Sequence, residues 1–323
     1  MPANPESRSD RKRRGRVLRS TGSWYDVAVG DDRIACTVRG KFRLAGSRET
    51  NPVVVGDNVD LLMNEDGTGV IVGIEPRVRC LIRRAAGRQI GKSHVIAANV
   101  DHAWVVQAFD EPPLNTGFVD RFLVMAACND LPAGLIINKV DLAGSRKARA
   151  ELKQLARMYE SLGYPVRLIS AKEGKGMRAL KKSLKGQTCV VAGPSGVGKT
   201  TLLNTLSPGL DLRTGEISHA TGKGTHTTTF ASLHPLAGGG YLVDTPGLRE
   251  FGLIGVDEGN LTHYFPEFVP LIPDCRFPNC THDHEPGCAV KDAVDEGQLQ
   301  ISRYDSYLSM LYALRLGAGD VGR

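Results

Sequence analysis

The sequence predicts three unlike domains: an N-terminal OB-type β-barrel, a central α/β domain built on a phosphate-binding loop, and a C-terminal α-helical domain stapled by metal. Three observations carry this. Short β-rich runs broken by turns fill the chain to about residue 74. Apolar strands then alternate with helical stretches from about residue 95 to 251. Cys275, Cys280 and Cys288 crowd into 14 residues near the end. A length of 323 residues suits two or three domains.

Composition narrows the class. The chain is 41% hydrophobic and 24% charged, ordinary for a globular protein in water. No uninterrupted apolar run approaches the ~18 residues of a membrane span. The first thirty residues lack an apolar core of the signal-peptide kind, so a cytoplasmic protein is expected. Seven cysteines are too few for a disulfide scaffold, and their clustering reads as metal ligation in a reducing compartment.

In chain order, residues 1–20 carry seven Lys/Arg against Glu6 and Asp10, without hydrophobic periodicity. They are expected to be a disordered basic arm. Residues 21–78 hold the runs WYDVAV (24–29), RIACTV (33–38), VVVGDNVDLLM (53–63) and GVIVGI (69–74), the pattern of a five-stranded OB-type barrel. Residues 79–94 read as a basic linker, since the stretch from Arg77 through Arg79, Arg83, Arg84 and Arg88 to Lys92 contains no acid. The arm and linker are either solvated or electrostatic contacts for nucleic acid.

The central domain is expected over 95–255. Strand candidates are HAWVVQAF (102–109), GLIIN (134–138), VRLIS (166–170), TCVVAG (188–193) and YLVD (241–244), with helices at 146–161 and 175–185. Such alternation predicts a parallel sheet, with sites at the carboxyl ends of its strands. Residues 256–323 end in a helix whose expected apolar face is Tyr304, Leu308, Leu311 and Leu314. Ser302 with Asp305 resembles a capping box at its start.

Four motifs fall at predicted strand ends. Gly193-Pro194-Ser195-Gly196-Val197-Gly198-Lys199-Thr200 is a complete P-loop, followed by Thr201. Its backbone N–H groups would converge on phosphate oxygens at a helix N-terminus. Lys199 would reach the β- and γ-phosphates, and the Thr200 hydroxyl would ligate Mg²⁺. Asp244-Thr245-Pro246-Gly247 offers a carboxylate for Mg²⁺ through water and the Gly247 N–H for the γ-phosphate. Asn138-Lys139-Val140-Asp141 places a carboxylate that can accept from guanine N1–H and its 2-amino group, a donor pair adenine lacks. Ser170-Ala171-Lys172 supplies the companion loop, with the Ala171 N–H expected to face guanine O6.

The order of these motifs is informative. GTPases ordinarily run from P-loop to DxxG, NKxD and SAK, whereas here NKVD and SAK precede the P-loop. A circular permutation keeps such a site whole, because its groups need only meet in space. With a barrel before it and a Cys/His unit after it, the chain resembles the RsgA family of circularly permuted GTPases. The most specific stretches are GPSGVGKTTLLN (193–204), THTTT (225–229), DTPGLREFGL (244–253) and CRFPNCTHDHEPGCAV (275–290).

The resemblance implies GTP hydrolysis to GDP, stimulated by the 30S ribosomal subunit during its late maturation, with the barrel and zinc domain meeting 16S rRNA. It also implies one structural Zn²⁺ held by Cys275, Cys280, His282 and Cys288. The residues alone leave His284 as a rival imidazole, but the family motif places the ligand two residues after the second cysteine. Leu248 stands where Ras-like enzymes carry a water-orienting Gln, so intrinsic turnover should be slow. His226 matches the family's water-positioning histidine. One of Thr227, Thr228 and Thr229 should complete Mg²⁺ ligation, and Thr228 is the choice adopted. A monomer without membrane attachment is expected. The rivals are a permuted GTPase of the large subunit, a P-loop kinase with a basic tail, and an RNA-binding protein with a vestigial nucleotide site.

Overall fold

Alternation in the first run of the chain resolves into a closed ring of strands. A computed structural model describes residues 12–39, 52–84, 93–207, 231–244, 253 and 255–316. The chain divides into two units, one of residues 1–102, 184–191 and 203–246, the other of residues 103–183, 192–202 and 247–323.

The first unit opens with β1 (Lys12–Ser20), β2 (Tyr25–Val29), β3 (Asp32–Val38), β4 (Asn58–Met63) and β5 (Gly69–Ile74). β1 is antiparallel to β2 and β4, β2 to β3, and β4 to β5, whereas β3 runs parallel to β5. The order β1-β2-β3-β5-β4 thus closes on β1 as an OB-type barrel. Inward residues alternate along the strands, and Val17, Tyr25, Val27, Cys36, Val59, Leu61 and Ile71 fill the core.

Residues 12–20 are therefore a strand and not part of a disordered arm. A register shift between Val17 and Arg19 lets Val17 and Leu18 both turn inward. That bulge hides the period-2 signal among the arginines. Residues 1–11 of the expected arm lie outside the described residues.

The expected linker is also partly structured. β6 (Cys80–Arg84) and β7 (Ser93–Ala98) pair antiparallel at its two ends. Leu81, Val95, Ala97 and Ala98 are buried, and Val54, Val95 and Ala98 share one cluster. The apolar halves of these strands outweigh the charged tip that suggested a linker.

The second unit begins β8 (His102–Ala108), α1 (Thr116–Cys128), β9 (Ala133–Asn138), α2 (Arg146–Ser161), β10 (Val166–Leu168) and α3 (Met177–Leu184). β10, β9 and β8 lie side by side and parallel. All six residues of β9 are buried, as in a strand covered on both faces. Helix α1 was not foreseen, because its run is apolar on nearly every side and shows no clear period. The Asn115 side chain caps it, accepting from the Phe118 N–H at 3.0 Å.

β11 (Thr188–Ala192) leads into the P-loop and α4 (Lys199–Leu206), followed by β12 (Ser232–Pro235) and β13 (Tyr241–Asp244). β11 and β13 are parallel, and β12 is antiparallel to β13. Beyond residue 255 come two 3-10 turns (Leu261–Tyr264, Val269–Asp274), α5 (Ala289–Asp295) and α6 (Ile301–Arg315). The buried face of α6 is Arg303, Ser306, Tyr307, Met310 and Leu311; of the expected face only Leu311 is buried, while Tyr304, Leu308 and Leu314 are not. Two buried acids receive Arg303, which turns the helix away from its most apolar stripe. The expected capping box does not form: the N-cap is Gln300, and Ser302 is already inside the helix.

Candidate functional site

The NKVD, SAK and P-loop segments meet through one side chain. Asn138, 3% exposed at the end of β9, donates from Nδ2 to the Val197 carbonyl of the P-loop at 2.9 Å. Its Oδ1 accepts from the Ala171 N–H of the SAK loop at 3.0 Å. The carboxamide thus fastens NKVD, SAK and P-loop together. It also corrects one expectation: the Ala171 N–H serves Asn138 and does not face outward toward a base oxygen.

The P-loop needs its glycines for two separate reasons. A Cβ at Gly193 would collide with the Val106 carbonyl oxygen. Gly198 has φ +88°, and a Cβ there would run into the Asn138 Nδ2. Lys199 opens α4 and turns its ammonium back over the loop, donating to the Gly193 and Pro194 carbonyls at 2.7 and 2.5 Å. The Lys199 Nζ therefore lies within the loop that would surround a phosphate.

Asp141 sits in the 3-10 turn Val140–Leu142. Its Oδ1 is enclosed and has no hydrogen-bond partner among the described residues. The Ser170 hydroxyl, then the neighbouring Lys172 and Lys139, hold this carboxyl below its usual range. An ionised, enclosed acceptor without a partner calls for a donor from a ligand. Lys139 has φ +59° and donates from Nζ to the Glu111 carbonyl. Ser170 is fully buried and bonds the Lys175 carbonyl and the Glu173 N–H, shaping the SAK turn.

Thr200 and Thr201 stand in the first turn of α4, and Asp244 ends β13. The Asp244 side chain lies outside the described residues. His226, Thr228 and Gly247 lie outside the described residues.

The second constellation is metallic in character. The ligand atoms of Cys275, Cys280, His282 and Cys288 all lie within 4.8 Å of one another. His282 Nδ1 is 3.6 Å from Cys275 Sγ and 3.3 Å from Cys288 Sγ. Tetrahedral Zn²⁺, with Zn–S of about 2.3 Å and Zn–N of about 2.0 Å, sets nitrogen and sulfur about 3.5 Å apart. The residues fit such an ion, and Nδ1 is the nitrogen that faces it. His284 is exposed and faces Asp283 at 3.7 Å, outside the cluster.

The cage around the cluster is apolar and tied to the backbone. Phe265, Phe268 and Tyr307 stack edge and face beside His282. The Tyr304 hydroxyl donates to the His282 carbonyl at 2.7 Å, and that of Tyr307 to the Thr281 carbonyl at 2.8 Å. Glu285 accepts from the Thr281 N–H and hydroxyl and from the Asp283 N–H. Burial would raise its carboxyl, but these donors prevail and hold it down to about 2.

Sequence reasoning missed what anchors this region to α1. Arg303 is 1% exposed, and it donates to Asp120 on α1 at 2.6 Å and to Glu267 at 2.6 and 3.2 Å. The Tyr159 hydroxyl of α2 donates to the same Asp120 oxygen at 2.8 Å. Burial opposes the charge on Arg303, yet Asp120 and Glu267 outweigh it and raise its pKa. A single Asp within the apolar run GFVDRFLVM was the available signal.

Comparison with known proteins agrees with this geometry. The RsgA GTPase family model matches residues 74–254, and the RsgA N-terminal domain model matches residues 14–71. The small ribosomal subunit biogenesis GTPase RsgA 2 of Bacteroides thetaiotaomicron is 45% identical over 299 residues, covering 92% of this chain and 96% of that protein. Its counterpart from Christiangramia forsetii is 43% identical over 301 residues, covering 92% and 95%. The crystal structure of YjeQ from Thermotoga maritima superposes with a TM-score of 0.76 at 37% identity, over 94% of this chain and 99% of that one. YloQ, described as a circularly permuted GTPase, gives 0.74 at 28% identity over 97% of each chain. The two family models together span residues 14–254, the curated relatives match over 92% of the chain, and the chain belongs to the RsgA GTPase family.

Proposed function

We propose that this chain hydrolyses GTP to GDP and phosphate on the 30S ribosomal subunit, late in its maturation, and that hydrolysis releases it from the subunit. The enclosed, partnerless oxygen of Asp141 carries the guanine assignment, since it matches the N1–H and 2-amino donors that adenine lacks. The 30S target is carried over from the small-subunit role named in the relatives.

In this reading Gly193 to Thr201 wrap the phosphates, and Lys199 shifts from loop carbonyls onto the β- and γ-phosphate oxygens. Thr200, Thr228 and Asp244 would hold Mg²⁺, which supplies charge neutralisation between those phosphates. Gly247 senses the γ-phosphate. Leu248 cannot orient water, so His226 positions the attacking water. Asn138 and Ser170 brace the base pocket, and Lys139 flanks it from the Glu111 side. One Zn²⁺ on Cys275, Cys280, His282 and Cys288 is structural, because four protein ligands leave no open position. The barrel and the C-terminal region contact 16S rRNA. No helix among the described residues is long and apolar enough to cross a membrane, in keeping with a cytoplasmic site of action.

The test is GTP turnover by the chain alone, with 30S subunits and with 50S subunits. Slow basal hydrolysis and a large increase on 30S alone are expected. Equal stimulation by 50S, or none by either, would overturn the assignment.

A further inference from the structure

A third basic stretch adds to the arm and linker noted in the sequence. Residues 146–185 hold twelve Lys/Arg and only three acids (Glu151, Glu160 and Glu173), a net +9 in a chain of net +6. The remainder of the protein therefore sums to −3. This segment contains α2, β10 and α3, and β10 is the outermost strand of its sheet.

The charges lie on two helix faces. On α2, the exposed Arg146, Arg149, Lys153 and Arg157 step by three, four and four residues, a stripe about 16 Å long at ~1.5 Å rise per residue. On α3 and just beyond it, the exposed Arg178, Lys181, Lys182 and Lys185 share one side, opposite the buried Met177, Leu180 and Leu184. No acid stands on α3.

A merely solvated helix face ordinarily interleaves acids at the i+4 positions. Among the described residues, the one ion pair within this segment is Lys147–Glu151, at 3.9 Å. Arg149 leans on the Ala143 and Gly144 carbonyls, which leaves its charge uncompensated. Like charges three and four apart destabilise a helix, so both helices carry a penalty that an external polyanion would remove.

The character of that polyanion can be read from what is missing. None of the exposed large hydrophobic side chains among the described residues falls within 146–185. A protein partner would require an apolar or aromatic anchor at the centre of its footprint. Cations without an anchor suit a phosphate backbone, which they bind by releasing counterions and without reading sequence.

We propose that the exposed basic faces of α2 and α3, as two separate patches, each contact the phosphate backbone of structured RNA. This deepens the ribosomal reading above, on which it rests, by assigning contact faces to the two helices that precede and follow β10 in the chain. Lys172 is left out, since it neighbours Asp141.

The test uses the full chain and two variants. One carries Arg178→Gln, Lys181→Gln, Lys182→Gln and Lys185→Gln; the other carries Arg146→Gln, Lys153→Gln and Arg157→Gln. Gln keeps helix propensity, so both should fold and bind GTP as the parent does. Affinities for purified 30S subunits and for 16S rRNA alone are measured across a salt series. Each lost phosphate contact should flatten the log–log salt slope by about 0.7–0.9. The four-residue variant should bind both probes at least tenfold more weakly at low salt, with its slope reduced by at most about 3.6. Parental affinity and slope in both variants would overturn the surface and leave the 30S reading intact. Loss on 30S with unchanged binding to 16S rRNA would assign the face to a ribosomal protein and overturn the RNA claim. Failure of the parent chain to bind either probe would sink the 30S reading together with this one.

Discussion

The metal cluster and the nucleotide loops lie in the same unit and are both made of short turns, yet they leave different things unfinished. At the cluster, surrounding groups are tied back into protein: Tyr304 and Tyr307 hold carbonyls of the knuckle, and Glu285 collects its N–H donors. Only the four ligand atoms face one another, at metal spacing. At the nucleotide loops Asn138 ties three segments together, but an Asp141 oxygen stays enclosed without a partner. On the proposed reading the first arrangement is a strut that one ion completes, and the second is a receptor whose unmet acceptor specifies the ligand. Removing a group should therefore unfold the first region and merely weaken binding in the second.

The largest expected effect is at the cluster. Cys280→Ala or Cys288→Ala should lose zinc and unfold residues 256–300, since structural zinc in small domains contributes about 10–16 kcal/mol of apparent folding energy. GTP affinity should stay close to the parent value. Metal analysis and limited proteolysis check the first claim, and nucleotide titration the second. A cysteine variant that keeps its zinc would break the comparison from the strut side.

Arg303→Met comes next. It strands Asp120 and Glu267 in a buried setting, and breaking such a pair costs about 3–5 kcal/mol. Thermal unfolding near neutral pH should show the loss. Acidification should narrow the gap between variant and parent, because burial raises the Asp120 carboxyl and, once protonated, it no longer needs the guanidinium. An equal gap at every pH would mean that Arg303 acts by packing alone.

His226→Ala should cut subunit-stimulated hydrolysis by about a hundredfold or more, as for loss of a group acting in the transition state, with GTP affinity within a few-fold. Single-turnover rates with saturating 30S subunits decide this. Equal rates would make His226 a bystander.

The smallest effect concerns Glu285. Its folded carboxyl is held down to about 2, against about 4.3 in an unfolded chain. The stability it contributes is present above about pH 4.3 and is lost as pH falls towards 2. Because the group is partly exposed, Glu285→Gln should be less stable by only about 1 kcal/mol at neutral pH. That difference should vanish near pH 2, and a constant difference would assign the effect to shape.

Much of this was legible because ligand chemistry demands particular residue types at particular spacings. The P-loop, NKVD, SAK and the cysteines could be found without coordinates, and His282 was separable from His284 once the family spacing was applied. The features that escaped depend on tertiary context. The bulge at Val17 and Leu18 masks a strand inside an arginine-rich stretch. Helix α1 is apolar nearly all round, and so has no face to detect. Arg303 scores as a solvent residue until Asp120, 183 positions away, is brought against it. The Ala171 N–H looked free for a base because nothing in the sequence says that Asn138 will take it.

The most direct test of the account is the nucleotide preference of Asp141→Asn under activation by 30S subunits. The substituted amide donates where the carboxylate accepted, which suits the 2-oxo group of xanthine and opposes the 2-amino group of guanine. The variant should bind GTP more weakly by about 1–3 kcal/mol and hydrolyse XTP in preference to GTP, with the hydrolysis still stimulated by 30S subunits. Undiminished preference for GTP in the variant would contradict the assignment of Asp141, and with it the reading of these loops as a guanine receptor.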